Sequence, residues 1–227
     1  EQSFDTLIKN FENTTSDWSL LGQELNGTNT LDQVGNAVDI TDDGQTIVIA
    51  EKTRIKVYHL VDEQWVQLGD DLGKVPDGFG LGGENYTNAS VSISRTGKYV
   101  AIGQQYHGES SSNTGEVLVY HWGGSSWSQV GSDLNGSIYD NFGTSVSIIE
   151  HNLGFALAVG AFQYSKHLLH SQGQIGGTAK GYVEVYEYQE GGSITKIGST
   201  INGDNNYDQF GRSVSLASGV GDTLTLV

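Results

Sequence analysis

Apolar and polar residues alternate at period two along most of this chain, in runs of four to eight interrupted by Gly, Asn, Asp and Ser. That periodicity puts successive side chains on opposite faces and predicts antiparallel strands joined by short turns. The runs recur in a fixed order. WSLLGQELNG (18–27), WVQLGDDLGK (65–74), WSQVGSDLNG (127–136) and ITKIGSTING (194–203) form one set. AVDITDDGQTIVIA (37–50), SVSISRTGKYVAIG (90–103), SVSIIEHNLGFALAVG (145–160) and SVSLASGVGDTLTLV (213–227) form a second. TRIKVYHL (53–60), GEVLVYHW (115–122) and GYVEVYEY (181–188) form a third. Val38, Val91, Val146 and Val214 mark the period, at separations of 53, 55 and 68 residues.

Each unit then holds four strands, a to d, in a sheet too small to stand alone. Such units read as blades of an all-β propeller. A sandwich needs no such regularity, and a parallel β-helix needs shorter coils. The predicted layout is a half blade over 1–27, blades over about 32–73, 75–136 and 139–203, and a half blade over 207–227. DTLIKNF (5–11) is expected to be a divergent strand c, so the 227 residues hold about four blade equivalents. The last strand, ending at Val227, has no neighbour in sequence, and an unpaired strand edge invites other chains. Two readings stay open: a segment of a longer propeller, or half blades that complete one another within or between molecules. A head-to-tail contact of that kind that does not close builds a filament.

Composition narrows the function. Gly is abundant at 32 and Pro nearly absent at 1, in keeping with tight turns and not with disorder. The net charge of −16, with only 11 Lys and Arg, excludes a phosphate-binding surface and hence nucleic acid. No apolar run reaches the roughly 18 residues of a membrane span. There is no Cys, so disulfides and thiolate metal sites are excluded. Sequons at Asn13, Asn26, Asn85, Asn88 and Asn135 exceed chance and point to a glycosylated, extracellular or cell-surface protein. Asn26 and Asn135 also precede Gly, the pattern of a tight turn.

DNFGTSVS (140–147) with FALAVGAF (155–162), and DQFGRSVS (208–215), resemble the FG-GAP repeat of integrin alpha propellers and many surface proteins. The resemblance runs from about residue 5 to the end. Phe-Gly is intact at Phe142-Gly143 and Phe210-Gly211, replaced by Val34-Gly35 in the first blade, and displaced by an insertion holding Phe79-Gly80 in the second. The resemblance implies a propeller that usually has seven blades, a role in adhesion or surface assembly, and calcium loops in some a–b turns. The corresponding turns here (40–46, 93–99, 149–155 and 217–223) lack three alternating acids, so calcium is not carried over and no cofactor is expected.

Individual residues carry weaker signals. Asp32, Asp140 and Asp208 recur two positions before the Phe-Gly or Val-Gly pair, where Asp caps turns. Asp204, Asn206 and Asp208 alternate as oxygen donors and form a weak metal candidate without a distal acid. Trp18, Trp65 and Trp127 recur in strand d as interblade packing, while Trp122 lies outside the repeat as a candidate platform. No nucleophile elbow, zinc-protease helix or phosphate loop is present, and the protein is expected not to be an enzyme. The b–c connections lengthen from 51–53 through 104–114 to 162–180, and extra residues surround 74–82, all at one end of the blades. Long loops concentrate interaction sites. That face, with Phe79, Tyr106, His107, Tyr164, His167 and His170, is expected to meet a protein or glycan partner. Adhesion, recognition or filamentous assembly is the leading expectation, a sugar-binding lectin the alternative, and an enzyme on the same scaffold ranks below both.

Overall fold

The computed structural model describes residues 20–27, 32–52, 54–73, 89–107, 113–151, 154–163, 172–173, 179–218 and 223–227. The expected strand c at 5–11 lies outside them. Every described regular element is a strand, and the fold is all-β, of the β-propeller type. The first sheet is the antiparallel meander β1 (Ala37–Ile40), β2 (Thr46–Ala50), β3 (Ile55–Val61) and β4 (Gln64–Gln67). The second is β5 (Ala89–Ile93), β6 (Tyr99–Gln104), β7 (Glu116–Trp122) and β8 (Trp127–Gln129), with β9 (Leu134–Asn135) also on β7. The third is β10 (Phe142–His151), β11 (Gly154–Ala161), β12 (Tyr182–Gln189) and β13 (Thr195–Asn202), followed by the pair β14 (Leu216–Ser218) and β15 (Leu224–Leu226).

The period-two pattern explains the stacking. Alternate residues of each sheet face the sheet before it and the sheet after it, so both faces are apolar. Val48, Ala50, Ile55 and Val57 of the first sheet pack on Ile93, Val100 and Ile102 of the second. Ala101, Val117 and Val119 on its other face pack on Val146, Ile148, Phe155 and Leu157 of the third. Ala158 and Val183 then pack on Leu216. Removing such surfaces from water is the main stabilising term.

The first strands, β1, β5, β10 and β14, lie side by side, and each is an edge of its own sheet. Alternate N–H groups of an edge strand have no partner within the sheet. Here the preceding sheet supplies one. Ile93 N donates to Asp39 Oδ2 at 2.8 Å, Ile148 N to Ser92 Oγ at 3.2 Å and Leu216 N to Ser147 Oγ at 3.0 Å. A second bond runs the other way. Ser90 Oγ donates to the Gly143 carbonyl at 2.8 Å and Ser145 Oγ to the Gly211 carbonyl at 2.9 Å. At the tips of the a–b turns, Thr96 N and Oγ1 both donate to Glu150 of the next sheet.

The Phe-Gly pair is the other part of this joint. Phe142 N bonds the Thr114 carbonyl and Phe210 N the Lys180 carbonyl, each at 3.0 Å, forming parallel bridges to Gly115 and Gly181 of the preceding sheet. Gly143 and Gly211 follow at φ +80° and +81°, where a side chain is strained. Their carbonyls press so closely on Gly103 and Gly160 that a Cβ at either would overlap them.

Two details depart from the sequence expectation. Asn135-Gly136 is no hairpin turn: Asn135 ends β9, and Gly136 N donates to the Gly115 carbonyl at 3.0 Å. Strand d of the second sheet is divided into β8 and β9 around Gly131, at φ +68°, whereas β13 runs unbroken past Gly198 at the same angle.

Gly103→Ala should lower the unfolding free energy by more than about 2 kcal/mol, since backbone on both sides must move. Gly191→Ala, at φ +81° but with nothing within 4 Å, should cost only about 1 kcal/mol. Urea unfolding of the two variants checks the contrast.

Candidate functional site

At the outer rim, Trp127 reaches back over the first sheet and Trp65 over residues 20–27, while Trp18 lies outside the described residues. Trp127 Nε1 donates to the Leu68 carbonyl at 2.7 Å, and Trp65 Nε1 to the Leu21 carbonyl at 2.9 Å. Each indole lies on a glycine, Gly69 or Gly22, whose Cβ would meet the ring at 2.9 or 2.8 Å. In the third sheet Ile194 takes this place over Gly131. The packing role expected of Trp65 and Trp127 is what the geometry shows. Trp122 is not separate from it: its ring centroid lies 5.2 Å from that of Trp127.

This packing leaves a groove of about 310 Å³ between the first and second sheets, lined by Trp127, Tyr120, Asp70, Asp71, Ser125 and Ser126. Its indole wall is fixed by the Leu68 bond. Tyr120 is half-buried and hydrogen-bonded from the Gly73 backbone; burial raises its pKa, so it stays a neutral phenol. Asp71 Oδ1 accepts from Gln67 Nε2 at 2.9 Å, and Asp70 is exposed. Aromatic faces opposite carboxylates and hydroxyls suit a polyhydroxylated ring, with its C–H face on the aromatics and its hydroxyls on the acids. The next interblade groove is smaller, about 190 Å³, and holds Tyr99, His121, Tyr188 and Glu190. His121 is held below its usual pKa by burial and then by Lys98, and is therefore neutral.

Of the residues expected on the long-loop face, Tyr106 and His107 are described and half-buried; Phe79, Tyr164, His167 and His170 lie outside the described residues. His107 Nδ1 is 3.3 Å from Glu116 Oε2. Glu116 is buried, and desolvation raises its pKa against the opposing pull of His107. Across the strand pair, the buried amide of Gln104 has no hydrogen-bond partner among the described residues. Asp140 serves the turn: Oδ2 accepts from Ser137 N at 3.1 Å and from Tyr182 Oη at 3.0 Å, and Oδ1 from Gln163 Nε2 at 2.8 Å.

Of the weak metal candidate, Asp208 and Asn206 each use a side-chain oxygen in a hydrogen bond, and Asp204 its backbone carbonyl. Asp208 Oδ2 accepts from Asn205 N at 2.6 Å, Asn206 Oδ1 from Ala179 N at 3.2 Å, and the Asp204 carbonyl from Lys180 Nζ at 2.7 Å. Among the described residues no three His, Asp or Glu side chains converge as a metal site. In the first a–b turn Asp43 Oδ1 accepts from Thr41 Oγ1 at 2.6 Å and Gln45 N at 2.9 Å, as a hairpin turn does. Asn26 and Asn135 are exposed; Asn13, Asn85 and Asn88 are outside the described residues.

Sequence reasoning missed the groove. Its acids were legible as an irregularity, because Asp70-Asp71 stands after the strand-d glycine where the other units carry Gln23-Glu24, Ser132-Asp133 and Ser199-Thr200. Their placement against Tyr120 and Trp127 arises only when two sheets stack.

No family profile matches this chain, and no curated protein matches it in sequence. Solved structures do align. A 6-phosphogluconolactonase candidate from Bacteroides uniformis aligns at 9% identity and TM-score 0.46, over 84% of this chain and 42% of its own. Kuenenia stuttgartiensis hydrazine synthase aligns at 13% and 0.43, over 84% and 57%. The Myceliophteria thermophila Cps50 (Swd1) β-propeller domain aligns at 9% and 0.39, over 84% and 52%. The chain thus spans about half the length of these proteins. No helix among the described residues is long and apolar enough to cross a membrane.

Glu116 generates a pH prediction. Its folded pKa lies above the unfolded value near 4.5, so its ionisation opposes folding. That penalty is absent below the unfolded value and complete above the folded one. Glu116→Gln should therefore gain stability relative to the parent as pH rises from 4 to 8, measured by chemical unfolding at both ends.

Proposed function

We propose that the chain is a non-catalytic recognition module of an extracellular or cell-surface protein, binding carbohydrate in the groove between its first two sheets. The observation that carries this reading is the juxtaposition of the fixed Trp127 indole and the Tyr120 phenol with Asp70, Asp71, Ser125 and Ser126. The resemblance of Phe142-Gly143 and Phe210-Gly211 to FG-GAP repeats, and the sequons, support a surface location. The lectin reading is thereby preferred to general adhesion, because the groove has the size and chemistry of a sugar unit and not of a protein interface.

The groove acids and the net charge of −16 favour neutral or amino sugars over sulfated or sialylated ones. Binding is measured by tryptophan fluorescence titration after a glycan array has chosen the sugar. Asp70→Asn and Trp127→Phe should each weaken binding at least tenfold, about 1.4 kcal/mol, while Trp65→Phe, on the neighbouring rim, leaves it unchanged. Absence of binding to any neutral or amino glycan, or equal affinity in all three variants, overturns the reading. Cleavage of the bound sugar would convert it to the enzyme reading.

A further inference from the structure

The groove of about 310 Å³ lies on one face of the second sheet, and the groove of about 190 Å³ lies on its other face. Strand β8 is their common wall. Successive side chains of a strand point to opposite faces, so Trp127 lines the first groove and Ser128 the second. Stacked sheets lie about 10 Å apart, and about one such spacing therefore separates the two grooves. The ridge between them is polar backbone. As the last strand of its sheet, β8 leaves alternate N–H and C=O groups without a partner within that sheet.

Both grooves follow one plan. Each opens over the strand-d glycine of one sheet, Gly69 or Gly131, and is closed by strand c and the c–d turn of the next. The first sets Trp127 and Tyr120 against Asp70 and Asp71; the second sets Tyr99, His121 and Tyr188 against Glu190. The aromatic wall of the second is as firmly held as that of the first. Tyr188 stacks on the fully buried Phe155, with ring centroids 5.1 Å apart and planes inclined at 26°, and Tyr99 meets both rings edge-on. His121, being neutral, presents one ring nitrogen as donor and the other as acceptor. Volume separates the two. Sites that hold a small molecule alone span about 300–1,000 Å³, a range the first groove reaches and the second does not. The second has the chemistry of a sugar site but the size of an extension.

We infer that the two grooves take separate units of one glycan chain laid across the outer edge of β8, so that the ligand is an oligosaccharide and not a single sugar. The inference rests on the carbohydrate reading of the first groove. One unit lies on Trp127 and Tyr120, with its hydroxyls on Asp70 and Asp71. The chain then crosses β8, whose open backbone groups meet its linking part. A further unit rests against Tyr188, with its hydroxyls on Glu190, Ser128 and His121. Because both units belong to one molecule, the second contact forms intramolecularly and adds affinity that the small groove could not supply alone. Walls fixed before the ligand arrives keep the ordering cost low.

A length series tests this, using glucose, galactose, mannose and glucosamine oligomers of one to four units, titrated by tryptophan fluorescence. For the sugar that binds, affinity should rise at least tenfold from one unit to four, beyond the roughly fourfold that four equivalent units give by number alone. Glu190→Gln and Ser128→Ala, both at exposed positions, should bring the four-unit affinity down towards that of one unit. Asp70→Asn should weaken every length alike, and thermal melts verify the folding of all three variants. A single unit that binds as tightly as the four-unit chain, or a gain with length that survives both second-groove variants, would overturn the inference while leaving the first groove a sugar site. If no series binds at any length, the carbohydrate reading of the first groove falls and takes this inference with it.

Discussion

The inner strand of each sheet is an edge, and the fold depends on how that edge is closed. One side-chain oxygen from the sheet before it, on Asp39, Ser92 or Ser147, receives the N–H that the strand's own sheet cannot use. Leaving a buried N–H unpaired costs about 1–3 kcal/mol, a large part of the stability of any domain. The bond also sets register, because a slip of one residue would carry Ile93, Ile148 or Leu216 to the wrong face. Burial supplies most of the attraction between sheets, and these caps decide how the sheets sit.

Serial coupling of this kind has a consequence for function. Among the described residues the principal contacts of each sheet are with its neighbours, so the inner strands and the Phe-Gly turns are tied to packing, while the outer rim and the loop ends vary. Asp140 and Asp208, read from the sequence as turn caps, each accept a backbone N–H three residues earlier, and Asp140 also accepts from Gln163 and Tyr182. The groove lies on the rim, where the first unit has paired acids and the second supplies Trp127 and Tyr120. Its walls come from separate sheets held by the same joint.

Much of the fold was legible because strand and turn chemistry repeat. Period-two alternation and the Ser-Val-Ser runs gave the strands, and Gly44 and Asp43 gave a hairpin. The meaning of Ser92 and Ser147 was not legible, since a serine on a strand reads as a solvent-facing residue until the next sheet is placed against it. The same holds for Gly103 and Gly160. Nothing local demands glycine there; the carbonyls of Gly143 and Gly211, 40 and 51 residues away, do. The expectation for Asn135-Gly136 failed for the related reason that a pairing with Glu116 overrode turn propensity. Of the site residues, Trp127 was recognised as packing, whereas Tyr120, Asp70 and Asp71 became a site only through stacking.

Hydrogen exchange, followed residue by residue in dilute protein, reads the cross-sheet caps most directly. The account predicts that the Ile93, Ile148 and Leu216 amides are protected although their own sheets offer them no acceptor, and that Ser147→Ala releases Leu216 while Ile148 keeps its protection. If Leu216 exchanges at the same slow rate with and without the Ser147 hydroxyl, or if all three amides exchange like an open strand edge, the sheets are not joined in this way.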